Sequence, residues 1–467
     1  MTSILTSLKE AGESLLKIAE KQEIDETETY LVSNNVLTIR LVNNAVFESK
    51  GVHDVGVGLR VIKGDMLGFS STADFSKKSL ENLVDTAAST AKARKLPFKY
   101  SFPKPKKMPR IAGICDKKLA ELPSEKAVEL AYDMVEASMA HNKKIVDNAG
   151  VLNVVSYETM VLNTHGVAAK NAGTFFEASL SATAKGGGNV SEGSSATAGR
   201  SLKELKPKDV GEKAAEMALS GLKSQKLKED IYTVLLDYEP TYGVLSYASM
   251  LVSPMIAKLY FPLFLDKLGK KVASPQITLI DDPLMPNGVG SAQVDDEGTP
   301  SGRQVIIDKG VLKTFVYDSF YGAIDKKKST GNAIRTSFAV GVSSFPGKNY
   351  NGEPIPVPRN PYFKPGRWKR DEILKETKQG LLVRRFHYTR LTNPTRGDFT
   401  SVLRMGLYAV KNGEIAGALK KSRLLDNLLS ILQNVDAVSD KLVVAGSWGD
   451  YAHTPMIRTK AHIAPID

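Results

Sequence analysis

One series of elements is legible twice within the first 225 residues: strands, a glycine-bearing hairpin, a strand rich in Ser and Thr, and a helix with a capped start. Such a series is accounted for by an internal duplication, or by two halves of one twisted antiparallel sheet backed by helices. The first pass opens with a helix over 3–21, where Leu5, Leu8, Leu15, Leu16 and Ile18 recur at helical spacing. After an acidic turn at 25–28, the stretch TYLVSNNVLTIRLVNNAVFES is rich in β-branched residues and broken by Asn-Asn pairs that read as turns. Valines and leucines then alternate around glycines, with Lys63-Gly64-Asp65 as a hairpin turn. A helix follows over 77–90, with Leu80, Leu83, Val84 and Ala87 on one face and Ser76 as its cap.

The second pass starts with a helix over 124–142. Strands follow over 151–184, then a turn at Gly186–Gly188 and an amphipathic helix over 207–220. The glycine turn lacks the GxxxxGK[ST] spacing of a phosphate loop and does not lead from a strand directly into a helix. A charged run from Leu222 to Asp230 closes this part. From the strand IYTVLLD (231–237) onward, short strands alternate with Gly and Pro turns. The expected fold is α+β: an N-terminal antiparallel sheet with packed helices, residues 1–228, and a β-rich C-terminal domain, residues 229–467. The Pro-rich segment 353–366 reads as an extended stretch crossing a sheet edge, where proline costs least.

Several function classes lose ground on composition. No apolar run reaches the roughly 18 residues of a membrane helix; the stretch 252–265 contains Pro254, Lys258 and Pro262 and reads as broken and partly buried. Glu10 and Glu13 interrupt the apolar pattern at the N-terminus, so it does not read as a signal peptide. The single cysteine, Cys115, supplies neither an internal disulfide nor a multi-cysteine metal site; a buried inert thiol and a cytoplasmic location are expected. The net charge is +12. Its clusters, Arg94–Arg110 and Arg359–Arg370, look like solvated loops without a recognition helix or RNA-binding aromatics, which argues against nucleic acid.

Five blocks of the second part occur in a fixed order: VDDEGTPSGRQVIIDKGVLKTFVYDSFYG (294–322), STGNAIR (329–335), RDEILKETKQGLLVR (370–384), LTNPTRGDFTS (391–401) and NGEIAGALKKSRLLDNLLSILQNV (412–435). This set resembles the TldD/PmbA family, also described as modulators of DNA gyrase. TldD-type members carry HExxxH, with two histidines on zinc and a glutamate handling the proton; bound zinc lowers the pKa of its water from about 15.7 to about 7. Here the motif is expected within 239–254, after IYTVLLD, and no histidine stands there. His53, His141, His165, His387, His453 and His462 are never three to five residues apart. The resemblance therefore implies a TldE-like chain with no catalytic or metal-binding residues and no cofactor of its own. It would pair with a zinc-bearing TldD-like HExxxH subunit, or a second copy of itself, to cleave small or unfolded peptides. Alternatives are a peptide- or protein-binding module without proteolysis, or a self-sufficient hydrolase centred on Tyr242 or Tyr247.

Two polar turns are the candidate substrate or partner contacts. In the first, Gly331 and Asn332 present backbone amides and Arg335 a fork of donors, either to a ligand carboxylate or to an internal acid such as Asp295 or Glu297. In the second, Asn393, Arg396 and Asp398 contact a ligand, or Asp398 caps local amides. Asp281-Asp282 before Pro283 reads as a strand-ending Asx turn rather than a metal site. Tyr260, Phe261 and Phe264, in the apolar stretch 242–264, are the candidate interface anchors.

Overall fold

The computed structural model describes residues 2–335, 347–447 and 450–466. Its first half consists of α1 (Thr2–Lys21), β1 (Glu26–Val42), β2 (Ala45–Lys63), β3 (Met66–Thr72) and α2 (Lys77–Ala91), followed by α3 (Lys117–Ala120), α4 (Ser124–His141), β4 (Ile145–Asn163), β5 (Ala168–Gly186), β6 (Asn189–Gly199) and α5 (Pro207–Gly221). All six strands form one antiparallel sheet in the order β3-β2-β1-β4-β5-β6. A helix–three strands–helix series thus occurs twice, and the two copies meet where β1 pairs with β4. The long strands reach 19 residues, roughly 60 Å at about 3.3 Å per residue.

Each half has its own core. Leu8, Leu15 and Ala19 of α1 and Leu80, Leu83, Val84 and Ala87 of α2 pack on Leu31, Val57, Leu59 and Val61. Ala127, Ala131 and Met134 of α4 and Val210, Ala214 and Ala218 of α5 pack on Leu152, Phe176 and Leu180. Ser76 caps α2 by accepting from Ser79 N, 3.4 Å. The halves also share a close approach. A Cβ at Gly68 of β3 would lie 1.9 Å from Ala87 O of α2, and one at Gly193 of β6 would lie 2.2 Å from Ala218 N of α5. Only glycine lets helix backbone settle so near the strand.

Asn34-Asn35 is not a turn: β1 runs through it, paired there along both edges with β2 and β4, with Asn34 buried and Asn35 exposed. Asn43-Asn44 is one, with both residues at positive φ (51° and 63°), as a two-residue hairpin requires. Gly186 ends β5, and Gly187 and Gly188 turn into β6.

The second half is built around β7 (Asp230–Leu236), central in a nine-stranded mixed sheet, antiparallel to Ile457–Pro465 and parallel to Gln379–Val383. Helix α6 (Tyr238–Leu251) follows, then α7 (Pro254–Leu259) and a single 3-10 turn at Pro262–Phe264; the prolines break the apolar stretch as expected. Pro361–Phe363 is an edge strand of a four-stranded sheet, and Pro354–Pro356 pairs with Ala333–Arg335. Among the described residues, no helix is long and apolar enough to cross a membrane.

Two composition-based expectations need correction. Cys115 is exposed rather than buried, on the irregular chain leading to α3. Arg359 is not part of a solvated loop: it is buried and paired with Asp296 at 3.0 Å, whereas Lys364, Arg367 and Lys369 of the same stretch are exposed.

Candidate functional site

Helix α6 holds the position where the resemblance places a metal motif. Asp237 starts it, accepting from Tyr238 N at 3.1 Å, and is itself held by Arg370 Nη2 at 2.8 Å. Pro240, Thr241, Val244, Leu245 and Ala248 are buried in the core. The opposite face carries Glu239, Tyr242, Ser246 and Tyr247, all half-buried. Three of these are tied to the protein: Glu239 Oε2 accepts from Phe386 N at 2.8 Å, Tyr242 Oη donates to Asp450 Oδ2 at 2.6 Å, and Tyr247 Oη donates to Thr389 O at 2.9 Å. Burial, then the Asp450 charge, push the Tyr242 phenol well above its ordinary range, so it is protonated at neutral pH.

These donors do not fit zinc. Neutral hydroxyls are poor ligands, and the two carboxylates, Glu239 on a backbone amide and Asp450 on Tyr242, leave the ion without imidazole or thiolate. The hairpin 443–447/450–454 packs on α6 and carries His453, whose ring burial keeps neutral and whose Nδ1 has no partner among the described residues. One imidazole is too few, and among the described residues no group of three or more His, Cys, Asp or Glu side chains could hold a metal ion.

The first polar turn lies in the interior. Gly331 sits at φ +76°, and a Cβ there would be 2.4 Å from Pro300 O. Asn332 is fully buried: Nδ2 donates to Asp281 Oδ2 (2.6 Å) and Val357 O (3.1 Å), and Oδ1 accepts from Thr330 Oγ1 (2.7 Å). Arg335 is buried too, but Asp295 and Glu297 are not its partners. Its Nη2 meets Glu28 Oε1 of β1 at 2.6 Å and its Nη1 meets Gly352 O at 3.0 Å. Glu28 also takes Arg60 of β2 through two hydrogen bonds (2.9 and 2.8 Å), and Arg60 reaches Glu297 at 2.8 Å. The D-D-E block thus meets the N-terminal sheet through a dry ion network. Asp295 accepts from the amides of Glu297, Thr299 and Ala333. Burial and then Glu297 hold the carboxyls of Asp295 and Asp318 well above the usual range.

The second turn lies at the surface, on the hairpin 387–393/398–403. Here Asn393, not Asp398, caps the local amides: its Oδ1 accepts from Arg396 N at 3.1 Å and its carbonyl from Gly397 N at 2.7 Å. Asp398 faces Arg396 at 3.6 Å in an exposed pair. No hydrogen bond or ion pair joins the two turns among the described residues, so they are not one site. Asp281 ends its strand, and Asp282 Oδ1 accepts from Leu284 N at 3.1 Å, an Asx turn. Of the three anchors, Tyr260 is 55% exposed and Phe261 half-buried, while Phe264 is fully buried in the core and offers no free face.

A third constellation was not anticipated. Where β4 and β5 face the second half, Arg200 donates to Tyr157 Oη at 3.1 Å, and the Lys348 ammonium lies 4.8 Å over the Tyr157 ring. Nearby, the Phe175 and Tyr451 rings meet at 6.0 Å, tilted by 54°. These residues share the side of the sheet that carries Glu28 and Tyr30. The available signal was a polar residue at an inward position of an otherwise apolar strand, as at Glu28, Arg60 and Tyr157.

Comparison with known proteins places these features. Residues 27–91 match the PmbA/TldA metallopeptidase domain 1, residues 117–222 the central domain and residues 229–463 the C-terminal domain. A metalloprotease TldD homolog of Buchnera aphidicola is 26% identical over 443 residues, 90% of this chain and 86% of that protein. The metalloprotease PmbA of Escherichia coli O157:H7 is 24% identical over 418 residues, 86% of this chain and 83% of that protein. The crystal structure of TldE from Thermococcus kodakarensis superposes with a TM-score of 0.86 at 23% identity, covering 97% of this chain and 100% of that one. With all three domain models matched in order and the last alone spanning half its length, the chain belongs to the PmbA/TldD metallopeptidase family.

Proposed function

We propose that this chain is the non-metallated, TldE-like subunit of a TldD/TldE-type peptidase acting in the cytoplasm on small or unfolded peptides. The observation that carries the reading is α6, which presents Glu239, Tyr242, Ser246 and Tyr247 where the family's peptidase motif is expected. Zinc and its activated water belong to a TldD-like HExxxH partner. This chain contributes chamber wall: the inward side of the six-stranded sheet facing α6 and the hairpin 443–447/450–454. Tyr260 and Phe261 supply the exposed aromatic surface for the partner. A self-sufficient hydrolase centred on Tyr242 is disfavoured, because a phenol held protonated by burial and Asp450 is a poor nucleophile and base.

Co-expression with an HExxxH relative, followed by purification, elemental analysis of each separated chain and a cleavage assay on an unstructured peptide, tests the reading. The expected result is a stable complex, zinc in the relative alone, and cleavage lost when that relative's motif is mutated. Tightly held zinc in this chain, or cleavage by this chain by itself, overturns it.

A further inference from the structure

Arg200 is a buried cation without a carboxylate. Its Nε donates to Gly288 O (3.1 Å), Nη1 to Tyr157 Oη (3.1 Å) and Thr174 O (3.0 Å), and Nη2 to Ser291 O (2.9 Å); no acid pairs with it among the described residues. Lys348 adds a second positive charge. Its position is built rather than incidental: Asn34, buried on β1, accepts from Lys348 N at 2.8 Å and donates to Lys348 O at 2.9 Å. That clamp sets the ammonium 4.8 Å over the Tyr157 ring, and among the described residues no carboxylate forms an ion pair with it. Arg359 adds a third. It is more than nine-tenths buried, spends Nη2 on Asp296 and Ala333 O, and leaves Nε buried with no partner among the described residues. The three cations lie about Tyr157, and among the described residues Asp296 is the one acid that forms an ion pair with any of them, while Asp281 and Asp295 also lie near Arg359. Burial of uncompensated charge is costly, and an incoming anion would relieve it.

We propose that Lys348, Arg359, Arg200 and Tyr157 form an anion subsite on the inward side of the sheet that takes the C-terminal carboxylate of a peptide. The subsite rests on the peptide-chamber reading above and gives it a substrate end. Lys348, half-buried, is the member open to solvent and makes the first contact. Arg359 Nε supplies a directed donor, and Arg200 acts through Tyr157, whose hydroxyl it orients; Arg200 and Tyr157 are positioning residues. Arg200, Lys348 and Arg359 also pull the Tyr157 phenol down to about 8 against its burial.

The test uses the full chain, alone and mixed with an HExxxH relative, and one short fluorescein-labelled polyalanine peptide made as free acid and as C-terminal amide. The acid is expected to bind about tenfold more tightly than the amide, a charge-assisted contact's worth. Lys348→Met is expected to bring acid and amide affinities together, and Lys348→Arg to retain the preference, which also guards against a variant that misfolds. Binding of the acid, but not the amide, raises the tyrosinate transition seen by ultraviolet difference absorbance, and Tyr157→Phe abolishes that shift. Equal binding of acid and amide, or a preference that survives Lys348→Met, overturns the subsite while leaving the chamber reading standing. Failure of both peptides to bind in either sample overturns both. Inorganic phosphate binding more tightly than the acid peptide reassigns the pocket to a phosphate and overturns the assignment to a peptide terminus.

Discussion

Replacing Arg335 by methionine strips one cation from the dry network that ties β1 and β2 to the second half. In the native arrangement Glu28 is shared by Arg335 (2.6 Å) and Arg60 (2.9 and 2.8 Å), and Arg60 also reaches Glu297 (2.8 Å). With Arg335 gone, two carboxylates share one guanidinium, leaving a net buried negative charge. Glu28→Gln has the opposite result: Arg60 keeps Glu297, and Arg335 faces a neutral amide. Removing one partner of a buried pair costs about 3–5 kcal/mol, a large part of a total stability of about 5–15 kcal/mol. The double variant Glu28→Gln/Arg335→Met leaves a one-to-one Arg60–Glu297 pair, so it should recover about 1–3 kcal/mol relative to the sum of the singles. Denaturant unfolding of the four proteins, followed by fluorescence with midpoints and slopes fitted together, measures this coupling. Additivity within about 0.5 kcal/mol, or singles that each cost less than about 1 kcal/mol, would refute the claim that these charges act as one desolvated unit.

Asp318→Asn should stabilise the protein increasingly as pH rises from about 4. The folded-state pKa is raised by burial and by Glu297, so this carboxyl's contribution is full below its unfolded pKa and is lost as pH climbs through the folded value. The amide keeps the acceptor for Tyr321 N, at 2.7 Å in the native protein; melting temperatures of both proteins across pH decide it, and a pH-independent difference would count against the raised pKa. Cys115, exposed but with its thiol raised by burial and then by Glu158 and Asp116, should react fully with a disulfide reagent in the native state, faster as pH increases; protection until unfolding would contradict its exposure. We propose residues 1–228 and 229–467 as the two domains, so brief trypsin treatment should nick the irregular stretch at Lys223, Lys226 or Lys228. The halves should stay associated on gel filtration through the Glu28–Arg60–Glu297–Arg335 network, and separation without denaturant would show it does not join them.

Local patterns carried most of the fold. The helices at 77–90, 124–142 and 207–220 fall within one residue of their ends in the structure, because a capping Ser76, a Pro207 start and apolar faces agree over each window. The doubled series was legible for the same reason, since each copy repeats its own local signals. Asn34-Asn35 misled because Asn-Asn is a turn signal only where the strand is free to end. Here β1 is paired along both edges, with β2 and β4, and Asn34 spends its amide on Asp54 and on the peptide of Lys348.

The candidate site was legible as composition and not as geometry. STGNAIR marked a constrained turn, and the structure places Gly331, Asn332 and Arg335 at one. The partner of Arg335, however, lies 307 residues away on β1. No spacing rule links a glutamate beginning the first strand to an arginine after the Ser-Thr-Gly-Asn turn; only the docking of the sheet against the second half does. The same docking gives Tyr157, Arg200, Lys348 and Arg359 a common location although they come from four separate stretches of chain. Sequence-local turns such as Asn393–Asp398 attracted attention because their polar residues are contiguous, and contiguity is what a surface turn needs for its own hydrogen bonds. A buried charge instead needs partners that water cannot reach, and here those come from the half of the chain packed against it. Isolated polar residues inside the strands, such as Glu28, Arg60 and Tyr157, therefore mark long-range contacts that conspicuous polar clusters in loops do not.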